Sequence, residues 1–139
     1  MTEIPENITF SISKDVNSSD IRDLYKSIDW KEKDDDIISK YLERSLVIVT
    51  ARDNDLLVGI ARATVSQVGE ITIWDVAVRP EYQKMGVGSK IMKCILTILD
   101  DYAIPVVTLY AESGKESFYE KFGFVPHKTR TFAMIRRLK

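Results

Sequence analysis

Residues 83–88 read Gln83-Lys84-Met85-Gly86-Val87-Gly88, set between a strand pattern and a helix pattern. Upstream, Ile71-Thr72-Ile73-Trp74-Asp75-Val76-Ala77-Val78 is mostly β-branched or apolar and closes at Arg79-Pro80, where proline ends a ladder. Downstream, Val87, Ile91, Ile95, Ile98 and Tyr102 recur at the spacing of one helical face. Two glycines at the head of a helix let several backbone N–H groups point one way, with the positive end of the helix dipole behind them. That arrangement suits a phosphate or pyrophosphate. It is not a P-loop, because the first glycine of that motif is missing, and not a dinucleotide fingerprint, which needs a third glycine and an acidic partner. Taken alone, the six residues also fit a tight turn with no ligand.

The rest of the chain reads as one domain. Its 139 residues, 45% hydrophobic, suffice for a sizeable core, and no linker or repeat divides them. Ile8, Phe10 and Ile12 alternate as in a half-buried strand, and Ser18-Ser19-Asp20 can cap a helix with Ile21, Leu24, Tyr25 and Ile28 inward. Asp34-Asp35-Asp36 opens a second helix with Ile37, Ile38, Tyr41 and Leu42 inward. Leu46–Thr50 and Leu56–Ala61 flank Arg52-Asp53-Asn54-Asp55, a hairpin turn, and Val68-Gly69 marks another turn. Val106–Tyr110 and Phe132–Ile135 read as later strands. Such an order implies a mixed sheet covered by helices.

A net charge of −1 gives no basic field for nucleic acid or anionic lipid. The single cysteine, Cys94, excludes an internal disulfide and a cysteine-rich metal site, and its helical neighbours Ile91, Ile95 and Leu96 suggest a buried, inert thiol. No apolar run is long enough to span a bilayer, no signal-peptide pattern opens the chain, and a cytoplasmic location is the expectation. His127, the only histidine, has no triad or metal partner at motif spacing and reads as an incidental loop residue.

Two blocks in a fixed order carry more. Val76-Ala77-Val78-Arg79-Pro80-Glu81-Tyr82 leads into the glycine loop, and Val106-Val107-Thr108-Leu109-Tyr110 leads into Phe118-Tyr119-Glu120-Lys121-Phe122-Gly123-Phe124. This order resembles the GNAT acetyltransferase superfamily over roughly half of the chain. The resemblance implies an α/β fold with a central mixed, mostly antiparallel sheet of six to seven strands and about four helices. It implies acetyl-coenzyme A as cosubstrate, no metal, and a homodimer as in many relatives. Ile60–Thr64, Thr72–Val76 and Thr108–Glu112 also look like the plastid and cyanobacterial branch that includes serotonin N-acetyltransferase. That branch acetylates arylalkylamines, and some of its members also acetylate protein lysines, so the resemblance implies a small primary amine, an arylalkylamine among the candidates, as the favoured acceptor. Acetylation of protein lysines or N-termini, or acyl-coenzyme A binding without catalysis, are the alternatives.

Acetyl transfer from a thioester needs an anchored cofactor, a polarised carbonyl, an unprotonated amine and an acid for the leaving thiolate. By resemblance, Gln83, Lys84, Met85, Gly86, Val87, Gly88 and Ser89 anchor the pyrophosphate. Val76, Ala77 and Val78 hold the pantetheine arm by strand-like pairing and polarise the thioester through a backbone N–H. Glu112 and Ser113 stand where many relatives carry an asparagine against that arm. Lys90 and Lys115 are further candidates for the phosphates.

The resemblance places the acid at Tyr119; a phenol with an ordinary pKa near 10 suits a thiolate leaving group. Ser113-x-x-Glu116 is a capping-box pattern that starts the last helix near Gly114. Phe118 and Phe122 then share the core face, and Tyr119 turns toward the groove. The other reading of Tyr119 is packing. Asp75, a carboxylate in an apolar strand, must be paired or useful. It either handles the amine or pairs with Arg62 on the neighbouring strand. Glu70 and Glu112 are reserve bases.

Overall fold

A computed structural model of the protein describes residues 3–66, 69–126, 134 and 136–138. Ile8–Ile12 forms β1, Ser18–Ser27 α1, Asp35–Arg44 α2, Val47–Asp53 β2, Leu56–Val65 β3 and Ile71–Val78 β4. After a short 3₁₀ turn at Pro80–Tyr82 come α3 (Val87–Asp100), β5 (Val107–Leu109) and α4 (Glu116–Glu120). The sheet runs β1-β2-β3-β4-β5, antiparallel except that β5 lies parallel to β4.

The sheet therefore has five strands among the described residues, not the six to seven expected. The further candidate, Phe132–Ile135, and the incidental loop residue His127 lie outside the described residues except for Met134. Val68 of the second proposed turn is outside them too.

The helices make two cores. Ile21, Leu24 and Tyr25 of α1 pack with Ile38 and Leu42 of α2 against Ile48, Leu57, Ile60 and Ala77 on one face of the sheet. On the other face, Val87, Ile91, Met92, Ile95 and Leu99 of α3 meet Val47, Val49, Val58, Ala63, Ile71 and Ile73. Both sets follow the helical period, so apolar burial fixes which side each helix takes. Tyr102 lies beyond α3 and is exposed, as is Ile37 on α2. The cap of α1 sits one residue earlier than the serines suggest: the Asn17 side chain accepts from Ser19 N–H at 3.0 Å. The first hairpin turns as expected, with Asn54 in the left-handed region that asparagine tolerates (φ 53°).

One glycine sets how closely α3 approaches. A Cβ on Gly59 in β3 would lie 2.7 Å from Ile91 Cδ1 and 3.3 Å from the Ala77 carbonyl oxygen. Ile91 is fully buried, so it has little room to yield. Gly59→Ala should cost about 1–3 kcal/mol in a urea unfolding titration, the range for overpacking a filled core. Adding Ile91→Val, which removes the clashing methyl, should recover part of the loss.

Candidate active site

The site begins with an irregularity in β4. Arg62 of β3 is paired with Trp74, yet Ile60 is paired with Ala77, so Ala61 alone faces both Asp75 and Val76. Asp75 is the inserted residue and takes a left-handed conformation (φ 56°). The bulge inverts the alternation of the strand. Before it, Ile71 and Ile73 point to α3; after it, Val76 and Val78 do, while Ala77 points to α1 and α2.

The same bulge ends the pairing with β5. That ladder stops at Ile73 with Leu109, and β4 then continues for five residues with no strand on that side among the described residues. Arg79 N–H donates to the Val58 carbonyl of β3 at 2.8 Å. By alternation Ala77 also directs its backbone groups to β3, whereas Val76 and Val78 direct theirs to the side that β5 has left. Gln83 Nε2 donates to the Val78 carbonyl at 2.8 Å and ties the following loop to the strand end.

That loop leads into α3. Lys84 (φ 64°) and Gly86 (φ 92°) are both left-handed, and Gly86 is the N-cap of α3 with no side chain capping it. A Cβ on Gly86 would be strained by its φ and would press on Ile4 at 3.3 Å. The first intrahelical donor is Lys90 N–H, to Gly86 O, so the N–H groups of Val87, Gly88 and Ser89 at the head of the helix are available to an anion. A Cβ on Gly88 would sit 3.5 Å from Val78 and from Phe118, in the wall between the strands.

The resulting cleft measures about 1670 Å³, larger than the roughly 300–1,000 Å³ of a usual small-ligand pocket, so it has room for two reactants. It is lined by Val76, Ala77, Val78, Gln83, Lys84, Gly86, Gly88 and Ser89 on one side and by Tyr110, Glu112, Lys115, Phe118 and Tyr119 on the other. Among the described residues, five lysines line it: Lys84, Lys90, Lys93, Lys115 and Lys121. The side chains of the remaining anchor candidates stand apart from the lining. Val87 is buried in the α3 core, Met85 packs against it, and Ser113 is exposed. Glu70 is exposed and also outside the lining.

Tyr119 lies on α4, its ring 5.0 Å from Phe118 and 6.3 Å from Phe124. Burial, helped by the Glu112 carboxylate, raises its phenol above the ordinary value, so it keeps its proton through neutral pH. Phe118 and Phe122 both pack on the core, 5.5 Å apart. The expected capping box does not form. Gly114 is left-handed (φ 89°), Lys115 N–H donates to Glu112 O in a turn, and the Glu116 carboxylate accepts from Gly114 N–H at 3.1 Å. This turn delays α4 to Glu116 and leaves it five residues long.

Asp75 lines the cleft and is also paired. Arg62 Nε donates to its Oδ2 at 2.7 Å, and both side chains are largely buried. The Arg62 guanidinium lies 4.6 Å from the centre of the Tyr41 ring on α2. Tyr25 of α1 completes the cluster: burial, with the Asp75 carboxylate close by, pushes its phenol far above the ordinary range.

Several cleft residues carry no motif that a sequence reading would single out. Trp74 and Tyr110 stack at 5.4 Å, with Trp74 Nε1 donating to Thr64 Oγ1 at 2.9 Å. The end of α1 contributes Ile28, Asp29 and Trp30. Cys94 is half-buried along the cleft rather than enclosed in the core. Arg79 is buried as a brace, donating to Leu57 O and to Asp23 Oδ2, both at 2.7 Å. The signal for Trp74 and Tyr110 was available only through pairing, since they come together across β4 and β5.

The sequence profile of the acetyltransferase (GNAT) domain matches residues 43–126, which span more than half of the chain and contain the bulge, the loop and Tyr119. The protein belongs to the GNAT acetyltransferase family. A ycf52-like N-acetyltransferase of Prochlorococcus marinus is 34% identical over 119 residues, covering 83% of this chain and 66% of that protein. The chain therefore spans about two thirds of that relative's length. Among solved structures, the GNAT-family acetyltransferase SP0256 of Streptococcus pneumoniae is 28% identical with a TM-score of 0.79, covering 94% of this chain and 98% of the other. The aminoglycoside N-acetyltransferase AAC(6')-Iy, solved in complex with CoA, shares the fold at 14% identity, with a TM-score of 0.73 and 94% and 95% coverage. The family is one of acyltransferases. No helix among the described residues is long and apolar enough to cross a membrane, and no group of metal-ligating side chains is found among them.

Proposed function

We propose that this GNAT domain moves an acetyl group from acetyl-CoA to a primary amine by direct attack in a ternary complex. The favoured acceptor is a small molecule, with arylalkylamines among the candidates. The observation that carries the reading is the splay of β4 from β5 at Asp75, which opens a strand edge directly beside the uncapped head of α3. The residues fit the cofactor. N–H groups of Val87, Gly88 and Ser89, with Lys84 nearby, suit a pyrophosphate. The outward backbone of Val76 and Val78 suits the amide-bearing pantetheine arm, and Val76 N–H, next to the bulge, suits the thioester oxygen. The CoA held by the aminoglycoside enzyme of the same fold supports this choice of cosubstrate.

The acceptor enters from the side of Trp74, Tyr110 and the end of α1, where Asp29 and Asp75 favour a cationic amine. Asp75 receives the ammonium through the carboxylate that Arg62 holds from one side. The amine, once free of its proton, forms the N–C bond as the C–S bond breaks, and Tyr119 gives its proton to the departing thiolate. Binding of a homodimer partner and the choice of amine do not enter this chemistry. Thiol release with acetyl-CoA and a panel of arylalkylamines, polyamines and lysine peptides tests the reading. Turnover with small amines is expected; transfer only to peptides would reassign the acceptor, and no transfer at all would leave a binding module.

Tyr119→Phe keeps the ring and should leave acetyl-CoA affinity within a few-fold while lowering turnover about 10²-fold. The pH profile gives the sign. The raised phenol is fully protonated below its ordinary value, so its contribution persists through neutral pH and is lost only as pH rises above about 10. The alkaline fall of the wild-type rate should therefore be missing from Tyr119→Phe. Near wild-type turnover, with acetyl transfer rate-limiting, would assign the ring to packing.

Asp75→Asn separates charge from backbone, because asparagine also accepts the left-handed conformation. It should slow transfer at least tenfold, flatten the rise of rate with pH, and leave acetyl-CoA binding unchanged in calorimetry. A loss of thermal stability with an unaltered pH profile would limit Asp75 to its pair with Arg62.

A further inference from the structure

We infer that Arg62 is a positioning residue, acting through Asp75 to hold the left-handed bulge that aims the Val76 N–H into the cleft. The inference rests on the acetyl-transfer reading for its kinetic consequence but not for its structural one. A non-glycine residue in the left-handed region within a strand is strained and persists only where its surroundings over-determine it. At Asp75 the surroundings are specific. Arg62 Nε donates to Oδ2 at 2.7 Å, and the guanidinium is itself held over the Tyr41 ring at 4.6 Å. Tyr25 closes the same pocket from α1. Arginine stays charged under all working conditions, and its planar fork is directional, so the carboxylate is oriented as well as attracted.

The geometry makes this consequential. Without the insertion, β4 would keep its original alternation: Asp75 would turn toward α3, and Val76 would direct its backbone to β3 instead of to the open edge. Pairing with β5 could then continue past Leu109 and narrow the cleft at its middle. The pairing with Arg62 that helps hold Asp75 out of regular pairing therefore also sets where the catalytic N–H points. The clamp reaches further through its aromatic partners. Tyr25 belongs to α1, whose C-terminal end carries Ile28, Asp29 and Trp30 into the cleft lining. The bulge and the acceptor wall thus share one anchor, and Arg62 sits at its centre without lining the cleft itself.

Arg62→Met removes the donor and the charge while keeping an apolar stem. The expected result is acetyl-CoA affinity weakened several-fold, kcat lower by tenfold or more, KM for the acceptor raised, and slower amide hydrogen exchange at Val76 as its N–H turns from the open edge to β3. If Arg62→Met does not fold, Arg62→Lys keeps charge and stem but lacks the Nε donor, and it should show the same changes in smaller measure. A folded variant that is less stable, yet has wild-type kcat and unchanged exchange at Val76, would overturn the inference and leave Arg62 a structural ion-pair partner. Absence of acetyl transfer in the wild-type protein would instead overturn the proposed function. The exchange measurement would still decide the clamp.

Discussion

The structure depends on a single extra residue in a strand. Asp75 makes β4 one residue longer than the stretch of β3 that it faces, and three consequences follow from that mismatch. The alternation of side chains flips, so Val76 and Val78 can pack toward α3 although they are out of step with Ile71 and Ile73. The backbone of the same two residues turns to the side opposite β3. The parallel partner β5 cannot follow and parts from β4 after Ile73. A cleft arises because the sheet is forced open, not because a loop happens to leave space.

Around that opening the charge is arranged by region. The head of α3, with Lys84, Lys90 and Lys93 beside it, is positive through both side chains and backbone dipoles. Glu3, Asp29, Asp75 and Glu112 give the lining its negative groups among the described residues. Only Asp75 among them is held by a buried cation, which fixes its place but also shares its charge. The Tyr119 phenol, kept protonated by burial and by Glu112, stands on the β5 side of the same opening. The lining thus carries a positive region at the head of α3, carboxylates elsewhere, and a protonated phenol on the β5 side.

What the sequence made legible was local. The face of α3, the left-handed turn at Asn54, the end of β4 at Arg79-Pro80 and the glycine-headed helix each follow from residues within one or two turns of one another. The bulge was not legible, since a period of two cannot register an inserted residue. The only cue was a carboxylate inside an otherwise apolar strand. That cue suggested both a pair with Arg62 and a role in chemistry, and the pair is present. The late start of α4 escaped for a similar reason: Ser113 and Glu116 have capping-box spacing, but left-handed Gly114 folds the chain into a turn first. Cys94 was misplaced because its neighbours in sequence are core residues while its own direction lies toward the cleft. The stacked Trp74 and Tyr110 depend on the register of β4 with β5, which no local pattern carries.

The most direct test of the account is an NMR titration of the ¹⁵N-labelled protein with acetyl-CoA, followed at the backbone amides. If the opened edge of β4 and the head of α3 together hold the cofactor, the Val76, Val78, Val87, Gly88 and Ser89 amides should shift in one saturable transition, with Ala77, which faces β3, moving less. Saturable shifts that spare Val76 and Val78, or no binding at all, would contradict the claim that the Asp75 bulge builds the acetyl-CoA site.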